Sequence, residues 1–137
     1  MIRAISHLGL AVLDLEQSIA RYQELGFRLE HRWVDEAEGI EAVELSSGSA
    51  RVELMRPLGD ESPVGRFLAR RGEGVHHVCY TVDDVAAELA AARATGMETV
   101  DRGPRVGGGG RTRVGFVHPK SMGGVLVEFE EQRAGAG

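Results

Sequence analysis

The sequence predicts an α+β fold made of two tandem β-α-β-β-β modules, and internal repetition is the main reason. In the stretches that begin at His7 and His77, a valine follows the histidine after five positions, an aspartate after seven and a glycine after nineteen. Each stretch leads to a closing strand with one glutamate, Glu53 or Glu128, five residues after a glycine. Agreement at this many positions indicates a tandem duplication.

The first module is predicted to cover residues 1–57, to within a few residues. The apolar run after His7 is typical of a strand. Asp14 can cap the helix that follows, and Gly26 can end it in a left-handed conformation. Three short strands are predicted after the helix, at about 27–34, 40–46 and 50–56.

The second module is predicted at about 74–131, with Asp84 as the helix cap and Gly96 as the helix end. Its later strands are predicted at about 97–101, 113–118 and 124–130. A helix at about 62–72 links the modules, so residues 1–137 are expected to form a single domain. The second module is five residues longer, and the excess falls at Gly107–Gly110. This loop is either a slack hairpin or a backbone that approaches a ligand closely.

Charge and composition exclude several function classes. The formal net charge of -5 argues against a general nucleic-acid role, and no apolar run is long enough to span a bilayer. The single cysteine, Cys79, has no disulfide partner, which together with the lack of a leader predicts a cytoplasmic protein. The basic stretch from Arg102 to Lys120 contains no acid. It is either a solvated loop or a patch for an anionic small molecule.

Four repeat-matched residues are candidate metal ligands: His7, Glu53, His77 and Glu128. Side chains alternate across a strand, so each of the four lies on one face while its apolar neighbours face the other way. If the two modules combine their sheets into one curved mixed sheet, two imidazoles and two carboxylates can converge on a divalent ion. A lone strand histidine is usually structural, and the repeat register selects His77 over the adjacent His76.

With these residues in view, the chain resembles the vicinal oxygen chelate superfamily, which has the glyoxalase and bleomycin-resistance fold. Within it the chain is most similar to the methylmalonyl-CoA epimerases. The resemblance covers nearly the whole chain and is carried by the strings at 7–12, 53–58, 60–64, 70–77, 116–121 and 123–128.

The resemblance implies a metal held by His7, His77 and Glu128, with Glu53 as the fourth ligand. Cobalt is the first choice of ion, and manganese, nickel, zinc and iron are alternatives. The resemblance also implies an acyl-CoA substrate whose thioester and carboxylate oxygens chelate the ion. A metal-stabilised enolate would then form when the proton at C2 is removed. A homodimer is expected from the same resemblance, and neither nucleic acid nor a membrane is expected as a partner.

Glu128 is the first candidate for the acid-base group. Some epimerases have a glutamate at the position of Ala42, so the second group is assigned to Glu44, which by strand parity shares the face of Ala42, unlike Glu41. The residues expected to contact the substrate are Arg113, His118, Lys120 and Ser121.

Two other classes of function stay open. One is another enzyme of the same fold, a lactoylglutathione lyase or an extradiol dioxygenase. The dioxygenase would need iron and would leave Glu53 surplus, whereas the lyase would share the full ligand set. The other class is a metal-free drug-binding protein, whose groove is typically lined with aromatic residues, but this chain is only 5% aromatic.

Overall fold

The computed structural model describes residues 1–135, which form two compact units. The first unit comprises residues 7–76, and the second combines residues 1–6 with the chain from residue 77 onward. These units follow the two predicted modules, except that the start of the first strand groups with the second unit and the linking helix groups with the first.

The strands of the first unit pair in one sheet, and two helices accompany them. This unit contains residues 7–11 of β1 (Ile2–Ala11), followed by α1 (Leu15–Glu24), β2 (Arg28–Asp35), β3 (Ile40–Ser47), β4 (Ala50–Pro57) and α2 (Pro63–Arg71). The strand order is β2-β3-β4-β1, with β1 parallel to β4 and the other pairs antiparallel.

The second unit repeats this topology. It contains residues 77–82 of β5 (Gly74–Val82), followed by α3 (Val85–Ala94), β6 (Arg105–Gly107), β7 (Thr112–Val117) and β8 (Leu126–Gln132), with 3₁₀ turns at Gly108–Gly110 and Pro119–Ser121. Read from the edge strand inward, as for the first unit, the order is β6-β7-β8-β5. Strand β5 is parallel to β8, and the other pairs are antiparallel. The matching order and directions confirm the β-α-β-β-β repeat and the α+β class.

The helix ends follow the predicted signals. The side chain of Asp14 accepts a hydrogen bond from the backbone N–H of Gln17 at 3.0 Å, and Asp84 does the same for Ala87. Gly26 and Gly96 have φ values of 99° and 91°, the left-handed region that glycine adopts without steric cost. Local sequence therefore sets where each helix begins and ends.

One face of each sheet is covered by the helix of its own unit. In the first unit, Val43, Leu45 and Leu54 pack with Leu15 and Ile19 of α1. Leu45 and Leu54 are fully buried, and burial of such a side chain contributes roughly 1.5–3 kcal/mol. In the second unit, the same role falls to residues of β7, β8 and α3: Val85, Leu89, Val117, Val127 and Phe129.

The linking helix does more than connect the modules. Val64 of α2 packs with Ala11, Ala42 and Met55 on the sheet face opposite α1. Its cap is Ser62, whose side chain accepts the N–H of Gly65 at 3.1 Å. The helix therefore belongs to the core of the first unit and covers part of the second face of its sheet.

The predicted strand at 97–101 is wrong. Only an isolated bridge joins Thr99 to Val117, and the paired strand in this position is β6. The reason lies in Asp101, because its side chain accepts the backbone N–H of Phe116 at 3.0 Å and the Nε of Arg105 at 3.1 Å. A side chain thus replaces the backbone partner that a regular strand would supply.

Within residues 1–135, no helix combines the length and the apolar character that a membrane span requires.

Glu41 provides a test of an ion pair on the α1 face. Hydrogen bonds from Arg32 and Arg56 lower the pKa of Glu41 below its ordinary value of 4.5. A lowered pKa in the folded state stabilises the fold above about pH 4.5, and this contribution is lost as the pH falls through the lowered value. We expect Glu41→Gln to reduce the free energy of unfolding by roughly 1 kcal/mol at pH 7 and by much less at pH 2.5. Urea unfolding at both pH values measures this, and an equal loss at both would assign the effect to packing instead.

Candidate active site

The first candidate pair of metal ligands lies within the first unit. His7 Nε2 is 3.3 Å from Glu53 Oε2, and the two side chains are 5% and 15% exposed. The register explains the meeting, since Gly9 lies opposite Glu53 and His7 precedes Gly9 by two residues on the same face of β1. The helix face is occupied by Val52 and Leu54, as alternation along β4 predicts.

The second pair repeats this arrangement within the second unit. His77 Nε2 is 3.1 Å from Glu128 Oε1, and both side chains are less than 10% exposed. Cys79 lies opposite Glu128 in the β5–β8 register, at the place that Gly9 has in the first unit. The repeat therefore puts each histidine and its glutamate at equivalent positions of their strands. His76 instead packs its ring against Phe67 of α2, with 5.1 Å between the centroids.

The donor set of each pair fits a divalent metal ion. Imidazole nitrogen with carboxylate oxygen suits borderline ions such as cobalt, zinc, nickel, manganese and iron. Burial of a carboxylate is costly unless it is hydrogen-bonded or bound to a metal. His7, Glu53, His77 and Glu128 are therefore the residues that could hold such an ion.

Glu44 and Arg51 lie beside the first pair. Glu44 is directly opposite Glu53 in the β3–β4 register, and Arg51 precedes Glu53 by two residues on the same face of β4. The guanidinium Nη2 of Arg51 donates to Glu44 Oε1 at 2.5 Å. Ala42 precedes Glu44 by two residues on the same face of β3. It is completely buried among apolar residues and offers no group that could carry a proton.

Glu41 lies on the face of β3 opposite to Glu44, as the alternation of side chains along a strand predicts. Its carboxylate accepts hydrogen bonds from Arg32 at 3.0 Å and from Arg56 at 2.8 Å. Glu41 and its two arginines line a cleft of about 390 Å³ together with residues 13–16 at the start of α1. Glu41 is thus held on the α1 side, away from the face of Glu44 and Glu53.

The second pair has an aromatic neighbour that the sequence alone did not reveal. Phe116 lies opposite Glu128 in the β7–β8 register, and its ring meets the His77 ring edge to face, with 5.9 Å between centroids. The Arg105 guanidinium lies 5.3 Å from the centre of the Phe116 ring. The matching residue in the first unit is Glu44, so aligning the two modules could have marked Phe116 as a site residue.

A further buried carboxylate, that of Glu130, is not predicted from the sequence. Glu130 follows Glu128 by two residues on the same face of β8, is only 7% exposed, and accepts a hydrogen bond from the hydroxyl of Ser6. The position that matches Glu130 in the first unit is Met55, and so the repeat itself gave no signal for it.

The assignment of Arg113 to the substrate site is not supported by its position. Arg113 lies opposite Glu131 in the β7–β8 register, and the side chain of Glu131 accepts the N–H of Val85 at the start of α3. By alternation, Arg113 faces the α3 side of the sheet, whereas Phe116 and Glu128 face the other side. Arg113 and Phe116 are three positions apart on β7, and this odd offset puts their side chains on opposite faces of the sheet.

The other predicted substrate contacts form one turn that is tied to Glu98. The backbone N–H of His118 donates to the Glu98 carbonyl at 2.8 Å, and the Ser121 hydroxyl accepts the Glu98 N–H at 2.9 Å. Lys120 forms an ion pair with the Glu98 carboxylate, and this hydrogen bond lowers the pKa of Glu98. His118 Nδ1 accepts the N–H of Lys120 at 3.1 Å. The turn therefore fastens the chain after α3 onto the end of β7.

The tetraglycine loop is anchored. Gly108, Gly109 and Gly110 all have positive φ values. The Gly108 carbonyl accepts from Arg111 Nε at 2.9 Å, and the Gly110 carbonyl accepts from Arg133 at 2.6 Å. A Cβ on Gly108 would lie 2.8 Å from the Thr112 hydroxyl. These contacts exclude a slack hairpin and give a local reason for glycine there.

Comparison with known proteins identifies the family. The sequence model described as "Glyoxalase/Bleomycin resistance protein/Dioxygenase superfamily" matches residues 6–116. The ethylmalonyl-CoA/methylmalonyl-CoA epimerase of Cereibacter sphaeroides is 34% identical over 134 residues, which are 96% of this chain and 99% of the relative. This chain belongs to that superfamily. The human mitochondrial methylmalonyl-CoA epimerase is also similar, with 33% identity over 93% of this chain and 73% of its own length.

Solved structures agree with the superfamily assignment. A methylmalonyl-CoA epimerase in complex with methylmalonyl-CoA and NH4+ has a TM-score of 0.92 and 35% identity, covering 98% of this chain and 97% of that one. The methylmalonyl-CoA epimerase of Mycobacterium tuberculosis has a TM-score of 0.91 and 33% identity, with 96% and 89% covered. The chain therefore has the glyoxalase-like fold of these epimerases, which are isomerases.

Loss of either histidine tests the metal assignment. We expect His7→Ala and His77→Ala each to lower the amount of cobalt bound after dialysis, and the double variant to bind none, because each removes one imidazole donor. Metal analysis by plasma mass spectrometry measures this, with circular dichroism as the check on folding. His76→Ala is the matched control, since this ring packs on Phe67. Equal metal content in His76→Ala and His77→Ala would contradict the assignment.

Proposed function

We propose that this chain is a metal-dependent epimerase that interconverts (2R)- and (2S)-methylmalonyl-CoA by exchanging the proton at C2. The observation that carries the proposal is its similarity, over 98% of the chain, to an epimerase structure that contains methylmalonyl-CoA. The two buried His–Glu pairs add the donor groups that such chemistry needs.

We propose that His7, Glu53, His77 and Glu128 hold one divalent ion, with cobalt as the first choice. The support is the repeat, which supplies two equivalent pairs, and a donor set suited to borderline ions. A Lewis acid at this position supplies electrostatic stabilisation for the negative charge that develops when a proton leaves a carbon next to a carbonyl group.

Epimerisation needs proton transfer on both faces of C2, and therefore two acid-base groups or one mobile group. We assign the two roles to Glu128 and Glu44. Both are carboxylates with little exposure, and each lies on the face of its sheet that carries a histidine–glutamate pair. Ala42 cannot take the second role, because a methyl group neither accepts nor donates a proton.

The other substrate contacts, the oligomeric state and the cellular location are also proposals. The substrate is an acyl-CoA, and the turn of His118, Lys120 and Ser121 stays a predicted contact for its thioester region. We propose a homodimer, supported by exposed apolar side chains such as Leu25 and Val100. Sedimentation equilibrium would measure the mass of the assembly. A cytoplasmic location is proposed because the sequence contains a single cysteine, Cys79, and therefore no disulfide within the chain.

Isotope exchange at C2 tests the proposed activity. Cobalt-loaded protein mixed with methylmalonyl-CoA in deuterated water should remove the C2 proton signal from the NMR spectrum, while the chelator-treated protein should not. A coupled mutase assay should detect both epimers when the reaction starts from either one. If the metal-loaded protein leaves the C2 proton in place but converts the glutathione hemithioacetal of methylglyoxal, the protein is a lyase and the epimerase assignment fails.

Glutamine substitutions test the two carboxylates. We expect Glu44→Gln to lower kcat by roughly 100-fold or more with unchanged metal content, because the amide cannot relay a proton. Glu128→Gln should lower both kcat and bound metal. Glu41→Gln is the matched control: it changes the same strand on the opposite face, and its kcat should stay within about twofold of the wild-type value. Unchanged kcat in Glu44→Gln would remove Glu44 from the mechanism.

A further inference from the structure

Two arginines of β4 lie on opposite faces of the same strand. Arg51 is two residues before Glu53 and shares its face, whereas Arg56 lies on the α1 side and donates to Glu41 at 2.8 Å. Their side chains are similarly accessible, at 35% and 40% exposure. Of the two, Arg51 alone has its charge on the face of the His7–Glu53 pair.

Arg51 is held next to this pair by Glu44. The Nη2 of Arg51 donates to Glu44 Oε1 at 2.5 Å, and Glu44 lies directly opposite Glu53 in the register. Side chains directly opposite each other on antiparallel strands have Cβ atoms about 4.5–5.5 Å apart. A guanidinium has five N–H donors in a planar fork, so a contact with Glu44 does not exhaust its capacity for carboxylates.

The repeat shows that the fold does not need this ion pair. Leu126 precedes Glu128 by two residues and occupies the place of Arg51, and Phe116 lies opposite Glu128 in the place of Glu44. The second unit therefore builds the same strands around a histidine–glutamate pair with two apolar side chains at these positions. The charged pair in the first unit calls for an explanation other than strand pairing.

We propose that Arg51 binds the free carboxylate of the substrate, and that Glu44 is the partner that the substrate carboxylate replaces. This inference rests on the proposed epimerase function, since methylmalonyl-CoA carries a carboxylate in addition to its thioester. Arginine pairs with carboxylates in a bidentate geometry that gives orientation as well as affinity. Arg113, the arginine that the sequence predicts as a substrate contact, faces the α3 side of its sheet and lies opposite Glu131.

The test compares two ligands that differ in the carboxylate. Calorimetry on cobalt-loaded protein measures the Kd of methylmalonyl-CoA and of propionyl-CoA, which lacks the carboxylate. Arg51→Gln should weaken methylmalonyl-CoA binding roughly tenfold or more and change propionyl-CoA binding less than about twofold, because only the first ligand loses a charge-assisted contact. Arg51→Lys should recover part of the loss. Arg56→Gln is the matched control and should bind both ligands like the wild type.

Glu44→Gln adds a result of opposite sign. Removing the competing carboxylate should tighten methylmalonyl-CoA binding and leave propionyl-CoA binding unchanged, with equal bound metal in all samples. Weaker binding of both ligands to Arg51→Gln would show a purely structural role and overturn the inference. So would a wild-type protein that does not prefer methylmalonyl-CoA.

The failure of the inference can be told apart from failure of the proposed function. If the wild type exchanges the C2 proton but Arg51→Gln keeps the full preference for methylmalonyl-CoA and its wild-type KM, only the role of Arg51 is wrong. If the wild type shows no exchange under metal-loaded conditions, the epimerase function is wrong, and the calorimetric comparison still decides whether Arg51 recognises a carboxylate.

Discussion

Alternation of side chains along the strands is the constraint on which both histidine–glutamate pairs depend. In β4 and β8, the valine and the leucine or phenylalanine that flank each glutamate pack against α1 or α3. A shift of one residue in register would expose these apolar side chains and bury the glutamate against the helix, which is strongly unfavourable. The energy of the helix-covered core therefore fixes Glu53 and Glu128 on the other face, within reach of His7 and His77.

The features that the sequence predicts correctly are those that depend on local order. Asp14 and Asp84 cap the helices because a carboxylate three residues before an N–H is a contact within one turn. The histidine–glutamate pairs could also be predicted, although they join distant residues, because the repeat reports the same pairing twice. Duplication thus gives one sequence some of the long-range information that would otherwise require a structure.

The features that could not be predicted depend on how loops and strands meet. The side chain of Asp101 accepts the backbone N–H of Phe116, the predicted strand at 97–101 is reduced to an isolated bridge, and no periodicity encodes that contact. Arg113 has the charge expected of a substrate contact but lies on the α3 face of its sheet, which only the register with Glu131 reveals. The contact of Arg51 with Glu44 needs the β3–β4 register as well, because the two residues belong to different strands.

The two units have kept the same histidine–glutamate pair, the candidate metal ligands, but have different residues beside it. His77 and Glu128 have Phe116 and Leu126 as neighbours in the register, whereas His7 and Glu53 have Glu44 and Arg51 at the equivalent positions. A substrate with one apolar substituent and one carboxylate is itself asymmetric. Two identical sets of neighbours could not distinguish these groups, since discrimination requires a difference in the free energy of contact. By keeping the histidine–glutamate pair and changing the residues beside it, the duplication offers the proposed substrate apolar contacts in one unit and charged contacts in the other.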